Sequence, residues 1–296
     1  MKTIVKKLLV PTPSQNGTQK KPHHIAYTDW GKPDNPHVII CVHGLTRNCR
    51  DFDFLATALS SDYRIICPDV VGRGQSDWLE DGRDYDYYPL YLSDASTLIA
   101  FIQSQYQVPI TINWVGISMG GLIGMMIAIQ SEIRINKLVM SDIGPLIPAA
   151  ALKRIAEYVG KDIRFDNLDE FEVYIRKISA PFGPLSDDQW HHLTIHSVRL
   201  LNDGTYGFCY DPKISESFRT HVLCEDIDLW QYWDMLQTST LVIRGSESDV
   251  LFAQTAAAMQ ERGPKAKLIE LPGIGHAPTL LDEKQISIVK DFLLDD

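Results

Sequence analysis

The stretch NWVGISMGGLIGMMIAI, Asn113 to Ile129, sets a lone serine, Ser118, inside an apolar run and brackets it with glycines. A hydroxyl in such surroundings is either a small buried residue tied to the backbone or a nucleophile held on a turn. The residues before it, ITINWVG, are β-branched and aromatic and read as a buried strand. Those after it are apolar and contain glycine, and they predict a helix beginning near Met119. Strand, turn and helix would hold Ser118 on a sharp bend, with the helix N-terminus behind it to favour negative charge. The pentapeptide GISMG, Gly116 to Gly120, fits the G-x-S-x-G pattern, in which small residues let strand and helix pass closely.

The same rhythm extends outward. HVIICVHG from His37 and YRIICPDVVGRG from Tyr63 predict buried parallel strands, with a helix in DFDFLATALSS between them. SDASTLIAFIQSQYQ predicts a helix with Ser93 as N-cap, and INKLVMSDIG another strand. Such alternation implies an α/β fold, a parallel sheet with helices on both faces. From Pro145 to about Leu236 the rhythm breaks into helix-like segments, AALKRIAEYVG, LDEFEVYIRKI and SDDQWHHLTIHSVRLL, with no clear buried strand. Strands return in STLVIRGSESDV and KAKLIELPG, with helices around AQTAAAMQER and at the end of the chain. The expected division is a core of residues 1–144 and 237–296 carrying an inserted helical cap, 145–236. PTPSQNGTQKKP is expected as a surface loop.

The net charge of −10 argues against a nucleic-acid surface, which needs clustered Lys and Arg. No apolar run has the length of a membrane span, and the first residues lack the apolar core of a secretory signal, so a cytoplasmic protein is expected. Cys41, Cys49, Cys67, Cys209 and Cys224 follow no metal-binding or redox spacing and read mostly as reduced core residues. No H-E-x-x-H or Cys/His cluster is present, so neither a metal nor another cofactor is expected.

A serine nucleophile needs a base. His276, in LPGIGHAPTL just after the last strand, is the expected one. His191, His192 and His196 share one cap helix, and His43 more plausibly shapes a loop. The base needs a carboxylate: Asp249, in VIRGSESDVL, is favoured because it follows a strand and gives the chain order Ser, Asp, His. Asp142, in LVMSDIGP, also follows a strand and is the alternative acid, with Glu247 third. Oxyanion donors are expected from the backbone N–H groups of Met119 and of Leu45 in HGLTRN.

HGLTRN, DVVGRGQSD, GISMGG, RGSESD and GIGHAP lie in an order that resembles the α/β-hydrolase-fold superfamily, over nearly the whole chain outside the cap. The resemblance implies a mostly parallel eight-stranded sheet, a Ser-Asp-His triad and a lid between the strands bearing Asp142 and Asp249. GSESDVL lacks the proline that often follows the acid loop. A serine at the elbow argues against the dehalogenase and epoxide-hydrolase branches and for the esterase-like ones.

The leading expectation is a carboxylesterase-like serine hydrolase acting on small-molecule esters through an acyl-enzyme. The alternatives are a C–C bond hydrolase, lactonase or thioesterase on the same triad, or a non-catalytic small-ligand receptor. In the C–C case Arg47 would hold a substrate carboxylate, its competing role being a loop-ordering salt bridge. Phe182, Trp190, Tyr206, Phe208, Trp230, Tyr232 and Trp233 give the cap aromatic surface for either an acyl pocket or its own core.

Overall fold

Alternate side chains of strand β3 (His37–Val42) enter two different cores. Val38, Ile40 and Val42 pack on one face of the sheet, Ile39 and Cys41 on the other. This is why the strand reads as a continuous apolar run, and each such side chain contributes about 1.5–3 kcal/mol on burial. The computed structural model describes residues 4–14, 20–86, 88–216 and 225–295.

β1 (Val5–Val10), β2 (His23–Trp30), β4 (Arg64–Pro68), β5 (Thr111–Ile117), β6 (Ile135–Ser141), β11 (Ser239–Gly245) and β12 (Lys267–Leu271) join β3 in an eight-stranded sheet of order β1-β2-β4-β3-β5-β6-β11-β12. From β4 to β12 every pairing is parallel, whereas β1 with β2 and β2 with β4 are antiparallel. The α/β fold is therefore as expected.

Helices α2 (Tyr88–Gln103) and α3 (Met119–Ala128) cover one face through residues such as Leu98, Ile102, Ile123 and Ile127. α8 (Ala253–Glu261) adds Met259 to that side. α1 (Asp53–Leu59) and α9 (Glu283–Leu294) cover the other with Leu55, Leu59, Val289 and Phe292. Ser93 is not an N-cap: α2 begins five residues earlier, with Pro89 in its first turn, and Ser93 lies inside it. Proline's fixed φ and missing N–H suit a helix start.

Between β6 and β11 the described residues form α4 (Ala149–Ala156), α5 (Leu168–Ile178), α6 (Asp187–Ser197) and α7 (Trp230–Met235). Two short antiparallel pairs interrupt them: β7 (Leu146–Ile147) with β10 (Ile227–Asp228), and β8 (Val198–Leu200) with β9 (Tyr206–Phe208). These pairs are too short to carry a readable alternation. Phe165, Phe171, Ile175, Trp190 and Leu193 build a separate core in this segment.

Cys41, Cys49, Cys67 and Cys209 are free thiols, the first three buried, and Cys224 lies outside the described residues. The described parts of PTPSQNGTQKKP, residues 11–14 and 20–22, have no regular structure, and 15–19 lie outside the description. No described helix is long and apolar enough to cross a membrane.

Candidate active site

Ser118 sits between β5 and α3 with φ 50° and ψ −117°, a left-handed conformation that an L residue adopts only when its surroundings impose it. The glycines around it provide the imposition. A Cβ on Gly120 would lie 1.9 Å from the Val42 carbonyl oxygen, and one on Gly116 would lie 2.3 Å from Gly120. Trp114 Nε1 donates to the Gly120 carbonyl at 2.9 Å, which pins the start of the helix to the strand.

Ser118 Oγ lies 2.9 Å from His276 Nε2, and His276 Nδ1 lies 2.8 Å from Asp142 Oδ2. A carboxylate only accepts, so Nδ1 carries the proton and Nε2 is free to receive one from the serine. Asp142 has no solvent exposure. Its Oδ1 accepts from the Gly245 N–H at 2.8 Å and its Oδ2 from Ser248 Oγ at 2.6 Å. Ser248 Oγ in turn accepts from the N–H groups of Val250 and Leu251, at 3.2 and 3.0 Å.

The favoured acid, Asp249, is corrected by this geometry. Its carboxylate pairs with Arg154 of α4, Nη2 to Oδ1 at 2.9 Å, and its side chain is 46% exposed. The reason is topological. β6, which ends at Ser141 just before Asp142, is hydrogen-bonded to the Ser118 strand β5, whereas β11, which precedes Asp249, lies one strand further out. Glu247 is likewise replaced by Asp142 as the partner of His276. Gly245 and Ser248, which lie in RGSESD but were given no role of their own there, are the groups of the β11 loop that reach Asp142.

The HGLTRN loop runs beside the serine, a Cβ on Gly44 falling 3.7 Å from Ser118 Cβ. His43 is fully buried, accepts from the Val70 N–H on Nε2 at 3.0 Å, and donates from Nδ1 to the Gly44 carbonyl at 2.7 Å. Burial pushes its pKa down to about 4, so it stays neutral and keeps that pattern. The Gly44 carbonyl also accepts from Arg47 N–H at 3.1 Å. These two bonds fix the peptide plane that carries the Leu45 N–H.

Ser118, His276, Leu45 and Arg47 line one cavity of about 100 Å³. Ile155, Ile175, Ile178, Phe182 and Phe208 supply its apolar wall, with Arg154 and Tyr158 beside them. Arg47 is committed elsewhere: it holds Asp51 through Nε at 2.8 Å and Nη2 at 2.6 Å, and Nη1 donates to Ser197 Oγ at 2.7 Å. Trp190, a candidate for either substrate contact or the cap's own core, lies in the core of the intervening segment, 7% exposed, with the Arg176 guanidinium 5.5 Å from its ring. Trp233 is fully buried against the sheet-side core.

Asp53, His192 and His196 bring candidate metal-ligand atoms within 4.8 Å of one another. Two of the three are engaged: Arg50 Nε donates to both oxygens of Asp53 at 2.9 Å, and His192 Nε2 bonds the Arg50 carbonyl at 2.8 Å. Burial, with Arg50 and His192 nearby, pushes the His196 pKa down to about 3.

Residues 39–285 match the Alpha/beta hydrolase family. The chain is similar to the 3-hydroxybutyrate-oligomer hydrolase of Cupriavidus necator, 40% identical over 277 residues that cover 91% of this chain and 92% of that protein. Among solved structures it is similar to a putative hydrolase from Rickettsia typhi, with TM-score 0.89, 31% identity and 98% of each chain covered. An alpha/beta hydrolase from Novosphingobium aromaticivorans superposes with TM-score 0.81 at 34% identity, again over 98% of each chain. With the eight-stranded sheet and the serine elbow already described, these matches establish that the chain belongs to the alpha/beta hydrolase family and is a hydrolase.

Proposed function

We propose that the chain hydrolyses carboxylic esters, with Ser118 as nucleophile, His276 as general base and Asp142 as the carboxylate that orients and stabilises the histidine. The observation that carries this reading is the continuous hydrogen-bonded line from Ser118 Oγ through His276 to Asp142, opening on the cavity. His276 Nε2 takes the serine proton as Oγ attacks the acyl carbon. Negative charge gathers on the carbonyl oxygen, where the N–H groups of Leu45 and Met119 receive it. The proton then passes from His276 to the departing alkoxide, leaving the acyl-enzyme and a free alcohol. Water, deprotonated by His276, attacks the acyl carbon and releases the carboxylic acid with Ser118 restored. The Asp142 carboxylate, bonded to His276 Nδ1, steadies the transient imidazolium.

The 145–236 segment serves as a cap whose Phe182 and Phe208 close an acyl site. A cavity of about 100 Å³ suits a short acyl chain. The likeness to an enzyme named for 3-hydroxybutyrate oligomers supports short linear oligoesters of a hydroxy acid as the substrate class.

Intact mass after exposure to a fluorophosphonate, for wild type beside Ser118→Ala, tests the nucleophile. One adduct on wild type and none on the folded variant is expected. Equal labelling of both, or of neither, would overturn the assignment of Ser118.

A further inference from the structure

Arg154 stands on α4 at the wall of the cavity that holds Ser118 and His276. It is the partner of Asp249, whose two oxygens are both taken up by Arg154 Nε and Nη2. The carboxylate at the loop position expected of the acid thus holds an arginine at the cleft. A guanidinium has five N–H donors, and a carboxylate clamped on the Nε/Nη2 edge uses two of them. Tyr158, on the same cavity wall, is a further hydrogen-bond partner of Arg154, so a second carboxylate on the planar Nη1/Nη2 fork would be met beside the Tyr158 hydroxyl. The Arg154 side chain is 39% exposed, so this edge is reachable, whereas Arg47 is 12% exposed and already bonded to Asp51 and Ser197.

Two features of the wall set the character of what lies beside Arg154. Ile155, Ile178 and Phe182 are apolar and suit a carbon chain. Asp51, the one acidic group among the described lining residues, is neutralised by its own arginine and leaves no free carboxylate there to repel an incoming anion.

We propose that Arg154 forms a carboxylate subsite of the ester cleft, held in place by Asp249 as a positioning residue, so that the chain selects esters carrying a free carboxylate at the far end of the acyl or alcohol portion. The proposal rests on the ester reading above and narrows it. A linear oligoester of a hydroxy acid has one such end, and the spacing between Arg154 and Ser118 then selects which ester bond is presented for attack.

The test is a series of half-esters, monomethyl succinate, glutarate and adipate, each beside its dimethyl ester, with kcat/KM measured for wild type, Arg154→Met, Arg154→Lys and Asp249→Asn. Wild type is expected to favour the half-ester by about tenfold or more at one chain length, the worth of a charge-assisted hydrogen bond. Arg154→Met should collapse that ratio by about 10- to 100-fold, mostly through the KM of the half-ester. Arg154→Lys should recover part of it, because the charge returns without the fork. Asp249→Asn should lower the ratio less than Arg154→Met does. A wild type that cleaves the diesters without preferring the half-ester at any length overturns the subsite alone, as does a ratio untouched by Arg154→Met. A wild type that takes no fluorophosphonate and cleaves neither series overturns the ester reading with it.

Discussion

Replacing Asp142 by asparagine should abolish turnover without unfolding the protein. The carboxylate receives three hydrogen bonds, the Gly245 N–H on Oδ1 and both Ser248 Oγ and His276 Nδ1 on Oδ2. In the variant the amide oxygen is claimed by the Gly245 N–H, a backbone donor that cannot turn away. The amide NH2 then faces Ser248 and His276. Ser248 Oγ already accepts from the Val250 and Leu251 N–H groups and can only turn its own O–H away, while His276 must present a bare Nδ1, which moves its proton to Nε2. An Nε2–H can donate to Ser118 but cannot take its proton, so the base is lost while shape is kept. A wrong tautomer of this kind lowers kcat by about 10⁴ in a serine protease triad, and a similar loss is expected here. The assay is kcat on a neutral butyrate ester together with the rate of fluorophosphonate labelling, with thermal unfolding as the control for folding. Asp249→Asn, measured in parallel, should retain at least about a hundred times the rate of Asp142→Asn, because Asp249 bonds Arg154 and not His276. The reverse order, a collapse on Asp249→Asn with Asp142→Asn within about tenfold of wild type, would refute the assignment of the acid.

Two further changes test the frame around the serine. Gly120→Ala places a Cβ 1.9 Å from the Val42 carbonyl oxygen, backbone against backbone, so a loss of about 3 kcal/mol or more in urea unfolding is expected, and wild-type stability would contradict the packing. His43 is held neutral in the fold with its pKa near 4, below the ordinary histidine value of about 6.5, so the unfolded chain binds the extra proton between those limits. That contribution to stability is complete above about pH 6.5 and is lost as the pH falls towards 4, amounting to about 1–2 kcal/mol between pH 6.5 and 5. His43→Gln should flatten the fall in unfolding free energy over that range, and an unchanged slope would show that the acid sensitivity arises elsewhere.

The sheet was legible where each strand was buried on both faces. β3, β4, β5, β6 and β11 announce themselves as β-branched runs because two cores draw on them at once. β1 and β2 were not read as strands: VKKLLV and HHIAYTDW mix lysine, histidine and aspartate with apolar residues, since β1 lies at the sheet edge and is largely exposed. Ser118 and His276 could be found from local motifs. The choice between Asp142 and Asp249 could not, because both follow a strand and what separates them is the order of strands in space. β6 lies next to β5 through a pairing that no local pattern encodes. Arg47 and Trp190 each kept two possible roles in the sequence for a related reason. The composition of a loop or helix tells that a cation or ring is present, but not that Asp51 and Ser197 already hold the one and Arg176 covers the other.

Gly275, the residue before His276, donates its N–H to the Pro181 carbonyl at 2.7 Å, and Pro181 and Phe182 belong to the wall of the cleft. The proposed base and the apolar wall of the cleft are therefore neighbours across a single backbone bond. A mutation that reshapes the wall at Pro181 or Phe182 to admit a bulkier acyl group pulls on the loop that aims the imidazole. Substrate range and turnover would thereby be tied as traits: a wider repertoire reached through that wall would come with a slower enzyme until a second change re-seated the histidine.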